Sequence, residues 1–254
     1  MSQSEKLIQL KSSILKSSHG FFGRSGGVSS APYNSLNAAY YVADDAEENV
    51  TENRNRICNA LGLNTPLITA NQVHGINVVE ATGAPLFNIG ADAIVCKTPG
   101  VPIGVLTADC VPILLEDIKN KIVAACHAGW RGALEGIVQS TVKKMIECGA
   151  ETKNIAAAIG PCIHQDSYEV DEKFHQNFVL QNEKNAQFFI KNAVEKYQFD
   201  IGKFVKESLS ETGIKTVEII QEDTYKNEKY FFSCRRAFKQ EETEFGRQAS
   251  VICL

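Results

Sequence analysis

Three residues of this 254-residue chain, Cys110, His127 and His74, are of the types from which catalytic centres are built. Cys110 closes the segment Thr107-Ala108-Asp109-Cys110, and Cys126-His127 runs into Ala128-Gly129-Trp130-Arg131-Gly132. His74 lies apart from them, among Asn71, Gln72 and Gly75 in ITANQVHGINVVE, residues 68–80. Two chemistries fit these residue types. In one, Cys110 is a nucleophile and His74 or His127 its general base, the machinery of acyl or amide transfer. In the other, all three converge on zinc. Two imidazoles and one thiolate leave a fourth tetrahedral position for water, the arrangement of a catalytic zinc site, and zinc lowers the pKa of that water to about 7. The spacings of 36 and 17 residues match no compact metal motif, so pattern alone leaves both chemistries open.

The elements that must position these residues are short and apolar. Residues 103–106, 111–115 and 122–125 are β-branched runs bounded by polar or glycine punctuation, which read as buried strands. Cys110 and His127 stand at the ends of such strands, where a rigid scaffold presents chemistry. After Gly132 the period changes to three and four: Leu134, Ile137, Val138, Val142, Met145 and Ile146 predict one amphipathic helix, stopped by Gly149. Its start beside His127 reads as an anion site.

Elsewhere, residues 17–37 read as a loop rich in Gly, Ser, Pro and Asn, in which Arg24 beside Gly26-Gly27 offers a guanidinium to an anion. Helices are predicted over 45–61, over 171–180, and after Asp200, where Ile201, Phe204, Val205 and Leu209 share a face. Residues 68–80 read as strand–turn–strand, and further strands are expected at 92–96, 154–159, 216–220 and 230–234, followed by a charged tail. The polar stretch 181–191 carries no assignment. Strands joined by short turns at 68–80 and 92–115 favour a mixed, largely antiparallel sheet. Helices and strands are interspersed with no repeat or flexible linker between them, so the expected fold is an α/β or α+β domain.

A composition of 44% hydrophobic and 22% charged residues is that of a soluble globular protein, and the net charge of −4 argues against nucleic-acid binding. No apolar run approaches the roughly 20 residues that span a bilayer. The N-terminal MSQSEKLIQLKSSILKSS lacks a leader's apolar stretch, so a cytoplasmic location is expected. Eight cysteines without a short-loop framework read mostly as buried thiols. No GxGxxG or GxxxxGK(S/T) signature is present. Five of the seven arginines, at 24, 131, 235, 236 and 247, lie in glycine-rich or polar segments, which suits phosphate or carboxylate recognition.

The segments NQVHG (71–75), TADCVPILL (107–115), CHAGWRG (126–132) and IGPCI (159–163) resemble the YfiH family. These are the laccase-domain, or multicopper polyphenol oxidoreductase-type, proteins, also described as purine nucleoside phosphorylases. GRSGGVSSAPYNSLN (23–37), SYEV (167–170) and SCRRAFKQEETEFGRQAS (233–250) resemble further family blocks, so the likeness spans nearly the whole chain in order. The resemblance implies a single compact layered α/β (α+β) domain over residues 1–254, with flanking helices, and a metal site at His74, Cys110 and His127, whose donor types suit zinc, with copper as the alternative. It implies phosphorolysis of adenosine, inosine and methylthioadenosine together with adenosine deamination. Its other implied readings are a peptidoglycan-precursor editing amidase and a laccase-like polyphenol oxidase; the residues themselves leave a non-enzymatic metal-binding domain as a further alternative. Multicopper oxidation needs more histidines than the five present, so it ranks low.

On that reading Cys110 and Asp109 are the catalytic pair, with Asp109 the nearest proton shuttle. Arg24 and Arg131 hold phosphate, Asn37, Asn71 and Gln72 bond ribose or base, and Trp130 either stacks on the purine or anchors the core. The partners implied are purine nucleosides and phosphate, with neither nucleic acid nor membrane, acting on a monomer or weak homo-oligomer. The chain departs from the family pattern at Phe22-Gly23-Arg24-Ser25-Gly26-Gly27, at Asp223-Thr224 and at Cys234, where tyrosine is usual.

Overall fold

The apolar runs on either side of Cys110 and before His127 are strands, but they do not all belong to one sheet. The computed structural model describes residues 6–40 and 42–254, with the backbone alone of Phe87. Residues 1–5, the first part of the stretch read for a leader, lie outside the described residues. In chain order come β1 (Gln9–Leu10), β2 (Ser18–Phe22), α1 (Glu47–Ala60), β3 (Ala70–Asn71), β4 (Val78–Ala81), β5 (Leu86–Gly90), β6 (Ala93–Cys96) and β7 (Ile103–Thr107). Then follow β8 (Val111–Asp117), β9 (Ile122–Ala128), α2 (Trp130–Glu135), α3 (Ile137–Glu147), β10 (Ala156–Ile159), β11 (Glu169–Asp171) and α4 (Glu172–Gln181). The last are β12 (Phe189–Ala193), β13 (Lys196–Phe199), α5 (Ile201–Glu211), β14 (Thr216–Ile219), α6 (Cys234–Lys239) and β15 (Gln248–Cys253).

A six-stranded sheet runs β14-β10-β8-β9-β6-β4, and a four-stranded sheet runs β1-β2-β15-β7. Smaller sheets are β11-β13-β12 and β3-β5. Among these pairings only β10–β14, β3–β5 and β4–β6 are parallel, so the architecture is mixed and largely antiparallel, as expected.

Alternation along β8 and β9 explains the layering. Ile113, Leu115, Ile122, Ala124 and Cys126 pack towards α3 and α5. Leu114, Val123 and Ala125 face the other way, onto Ile103, Val105 and Ile252 of the four-stranded sheet. Every residue of both strands is buried, which is why they read as unbroken apolar runs. Each fully buried Ile or Leu contributes about 1.5–3 kcal/mol. The far face of the four-stranded sheet is covered by Ile57 and Cys58 of α1, against Phe22, Ala249 and Val251.

Several expectations are corrected. Residues 68–80 and 92–115 do not fold back as hairpins. β3 pairs with β5 and β4 with β6, while β7 leaves β6 to pair with β15 in the facing sheet. Runs that are apolar on both faces carry no signal for which sheet they join. The helix predicted across 134–148 is broken at Gly136, whose φ of 101° ends α2 and starts α3. Residues 230–234 form no strand. Phe231 and Phe232 are buried ahead of Ser233, which caps α6 by accepting from Arg236 N. Two strands were hidden in stretches read otherwise, β2 in the loop 17–37 and β15 in the charged tail. The polar stretch 181–191 holds a 3-10 turn, Glu183–Phe188, leading into β12.

Candidate metal centre and its pocket

The β8–β9 hairpin brings Cys110 and His127 together. Val111 faces Ala128 and Pro112 faces His127 across it, so Cys110, one residue before β8, meets the end of β9. His74 arrives from the turn between β3 and β4, in left-handed backbone with φ 59°. The candidate ligand atoms of His74, Cys110 and His127 all lie within 4.8 Å of one another, with Cys110 Sγ 3.9 Å from His74 Nε2. The imidazoles meet edge to face, 4.8 Å between centroids.

One residue organises both histidines, and it was not singled out in the sequence. Asp92, buried immediately before β6, accepts His127 Nδ1–H at 2.8 Å. The same carboxylate accepts the backbone N–H of His74 at 2.9 Å and of Gly75 at 2.7 Å, and its carbonyl accepts His127 N. It thereby fixes the strained turn of His74 and, by taking Nδ1 of His127, leaves Nε2 to meet Cys110 as the candidate ligand atom. The available signal was a lone acidic residue at the head of an all-apolar strand, Asp92-Ala93-Ile94-Val95-Cys96.

The donor set fits a metal ion. Burial opposes ionisation of the Cys110 thiol, but His127 and His74 beside it outweigh that and bring it down to about 6. Burial likewise disfavours protonated His127, yet the Cys110 thiolate and Asp92 raise it to about 9. Burial works against the Asp92 carboxylate too, and the bonds from His127 and from the backbone of Gly75 and His74 keep it below the usual range. Metal–ligand bonds of about 2.0–2.3 Å separate tetrahedral ligand atoms by about 3.5 Å, so small side-chain movements close the site. Gly129 allows the close approach. A Cβ there would stand 2.6 Å from His74 Cδ2 and 3.4 Å from Cys110 Sγ.

The three ligands form one end of a cavity of about 330 Å3. Of the residues expected to bind substrate, Asn71 and Gln72 line it. The Gln72 amide is engaged, with Nε2 donating to Leu106 O and Oε1 accepting from Leu106 N, both at 2.7 Å. Arg24 lines a different cavity, donating to Asn34 O and Glu228 O with its guanidinium 4.7 Å from the Phe232 ring. Asn37 is fully buried and spends its amide on Ala39 O, Asp45 Oδ2, Ala39 N and Arg247 N. Trp130 packs on Phe174 and Phe178 in the helix-side core, and Arg131 lies exposed over its ring. None of Arg24, Asn37, Trp130 and Arg131 lines the cavity that holds Cys110. The arginines in that cavity wall are Arg54 and Arg247, and no Asp or Glu is among its described lining residues.

Asp109 does not line the cavity either. Its buried carboxylate accepts from Thr224 Oγ1, Ser233 Oγ and Arg235 N at 2.7–2.9 Å. Burial raises its pKa, and those three donors only partly offset it. Asp109 thus ties the left-handed turn before Cys110 to the segment that carries Cys234 into the cavity wall.

The model of the multi-copper polyphenol oxidoreductase laccase family matches residues 18–254. The chain belongs to this family. Its relatives include the purine nucleoside phosphorylase YfiH of Escherichia coli, 36% identical over 232 residues and covering 91% of each chain. Another is the purine nucleoside phosphorylase RC0672 of Rickettsia conorii, 39% identical over 197 residues, 77% of this chain and 81% of that one. Among solved structures, Neisseria meningitidis protein NMB0706 superposes with a TM-score of 0.85 at 31% identity, covering 98% of both chains. YlmD from Geobacillus stearothermophilus superposes with a TM-score of 0.80 at 26% identity, covering 92% and 90%.

Proposed function

We propose that this family member is a zinc-dependent purine nucleoside phosphorylase, acting on adenosine, inosine and methylthioadenosine, with adenosine deamination as a second activity. One observation carries the reading: a metal-type ligand set and two arginines share a cavity whose described wall contains no carboxylate. A neutral nucleoside and an anionic phosphate are the ligands such a cavity suits. Its volume of about 330 Å3 stands at the low end of the range that encloses a small organic ligand, about 300–1,000 Å3. That accommodates a nucleoside and leaves a peptide-bearing cell-wall precursor mostly outside. The names of the relatives favour the same activity.

Each residue has a place in this scheme. His74, Cys110 and His127 hold the metal, and Asp92 holds the histidines. Two imidazoles and a thiolate with an open position suit zinc, and copper is the alternative the same donors accept. When bound, the metal supplies Lewis-acid polarisation at the cavity end. Tyr40 and Phe245 offer aromatic faces to a purine, while Thr69 and the Asn71 amide offer hydrogen bonds to ribose or base. Asp109 acts as a positioning residue beneath Cys110, in place of the proton shuttle expected from its position in the sequence. All eight cysteines carry free thiols, which suits a reducing cytoplasm, and no helix among the described residues is long and apolar enough to cross a membrane.

The test pairs metal analysis with turnover. Zinc-loaded protein is expected to release hypoxanthine and ribose 1-phosphate from inosine only with phosphate present, and to lose that activity on chelation. Full activity in metal-free protein, or base release without phosphate, would overturn the proposal.

A further inference from the structure

We propose that the guanidinium of Arg247 is the oxyanion anchor of this cavity and that its ligand is inorganic phosphate; the choice of phosphate rests on the function proposed above.

Most of the other arginines are already committed to protein partners. Arg236 donates to three carbonyls, those of Thr224, Tyr225 and Phe231. Arg235 donates to Glu169 O, and Arg56 pairs with Glu52. Arg54, the other arginine of the cavity, is buried. It donates to Ala38 O and Thr69 Oγ1 and stacks 4.2 Å from the Tyr40 centroid, so it serves as wall. Arg131 lies outside the cavity.

Arg247 differs in both its backbone and its side chain. Its N–H donates to Asn37 Oδ1 at 3.0 Å and its carbonyl accepts Ala38 N–H at 3.0 Å. It follows Gly246, where a Cβ would fall 2.5 Å from Phe232 Cζ, and precedes β15, whose Gln248 pairs with Thr107 in the cavity wall. The Cα is therefore held from both sides. The guanidinium lies half-buried over the Phe245 ring at 4.9 Å. No carboxylate or carbonyl of the described residues accepts from it. A guanidinium keeps its charge at any working pH and presents its N–H donors in a fork that matches two oxygens of a phosphate. With no carboxylate among the described lining residues, that half-buried fork offers its donors to an anion entering the cavity.

The location suits the reaction. Arg247 and Cys234 line the same cavity as the ligand residues His74, Cys110 and His127, so an anion held by the arginine shares that space with the metal centre. In phosphorolysis an oxygen of hydrogen phosphate bonds C1′ as the C1′–N9 bond breaks. The electron pair leaves on the base, which takes the proton that the phosphate brought. Two non-attacking oxygens remain for Arg247 to hold, which fixes the angle of approach.

The test uses full-length, metal-loaded protein and the variants R247Q, R247K and R131Q. In R247Q the KM for phosphate should rise about tenfold or more, while the KM for inosine stays within about twofold. R247K should recover part of the loss, since charge survives without the fork. R131Q, outside the cavity, should leave the phosphate KM unchanged. Calorimetric binding of inorganic phosphate to the same proteins needs no turnover: wild type should bind and R247Q should bind at least about tenfold more weakly. An unaltered phosphate affinity in R247Q, or no phosphate binding to wild type, overturns the anchor. Phosphate binding that depends on Arg247 without any phosphorolysis would keep the anchor and overturn the enzymatic reading instead.

Discussion

Asp92 Oδ1 and His127 Nδ1 are 2.8 Å apart in the interior, and the same carboxylate binds the backbone of His74. One buried acid thus orients one candidate ligand through its ring and another through its main chain. The variant Asp92→Asn should weaken metal binding by about 10–100-fold, the usual cost of losing a carboxylate behind a histidine ligand. Competition titration against a chromophoric chelator measures it directly. An unchanged affinity would show that the histidines are oriented without Asp92.

At Gly129 the backbone passes close beside two of the candidate ligands. Gly129→Ala would place a methyl 2.6 Å from His74 Cδ2. Overpacking of this kind costs about 1–3 kcal/mol, and here the side chain that must yield is a ligand. Bound metal per chain should fall well below one while circular dichroism remains that of the wild type.

Metal-free protein should carry a reactive thiolate. The neighbouring imidazoles overcome burial and bring Cys110 to about 6, while the other seven thiols are all raised above their ordinary value. A lowered acid is ionised above its shifted pKa, so alkylation of Cys110 by iodoacetamide should climb through about pH 6 and plateau by about pH 7. Mass-mapped labelling should find the modification there first, and bound zinc should suppress it. A midpoint near 8.5, the ordinary thiol value, would contradict the geometry.

Asp109 is held by Thr224, Ser233 and Arg235, far along the chain from it. Asp109→Ala leaves those donors unsatisfied and should cost about 2–4 kcal/mol in stability, visible as a lowered denaturation midpoint. Asp109→Asn keeps the shape but offers an N–H2 to a donor, so stability and turnover should fall together. Turnover lost at unchanged stability would restore the proton-shuttle role expected from sequence.

Much of the local structure was readable before any coordinates. Asp200 caps α5, and the apolar face of Ile201, Phe204, Val205 and Leu209 is buried as its spacing predicts. The runs at β7, β8 and β9 lie where their β-branched residues put them, and the ordered family blocks pointed to His74, Cys110 and His127 as a set. These features depend on neighbours a few residues apart: capping, period and the register of a short hairpin.

What the tertiary structure alone decided depends on residues with no local relation. Asp92 meets His127 across 35 residues, and Arg247 meets Asn37 across 210. Asn37 and Trp130, polar or aromatic enough to read as substrate contacts, are consumed by the interior, while Arg24 sits in another cavity. Arg247, one of several arginines in a polar tail, comes to the cavity because β15 inserts between β2 and β7. A sequence states which groups can do chemistry. Which of them face a common space is settled by strand pairing and by the competition among buried polar groups for partners, and neither leaves a periodic trace along the chain.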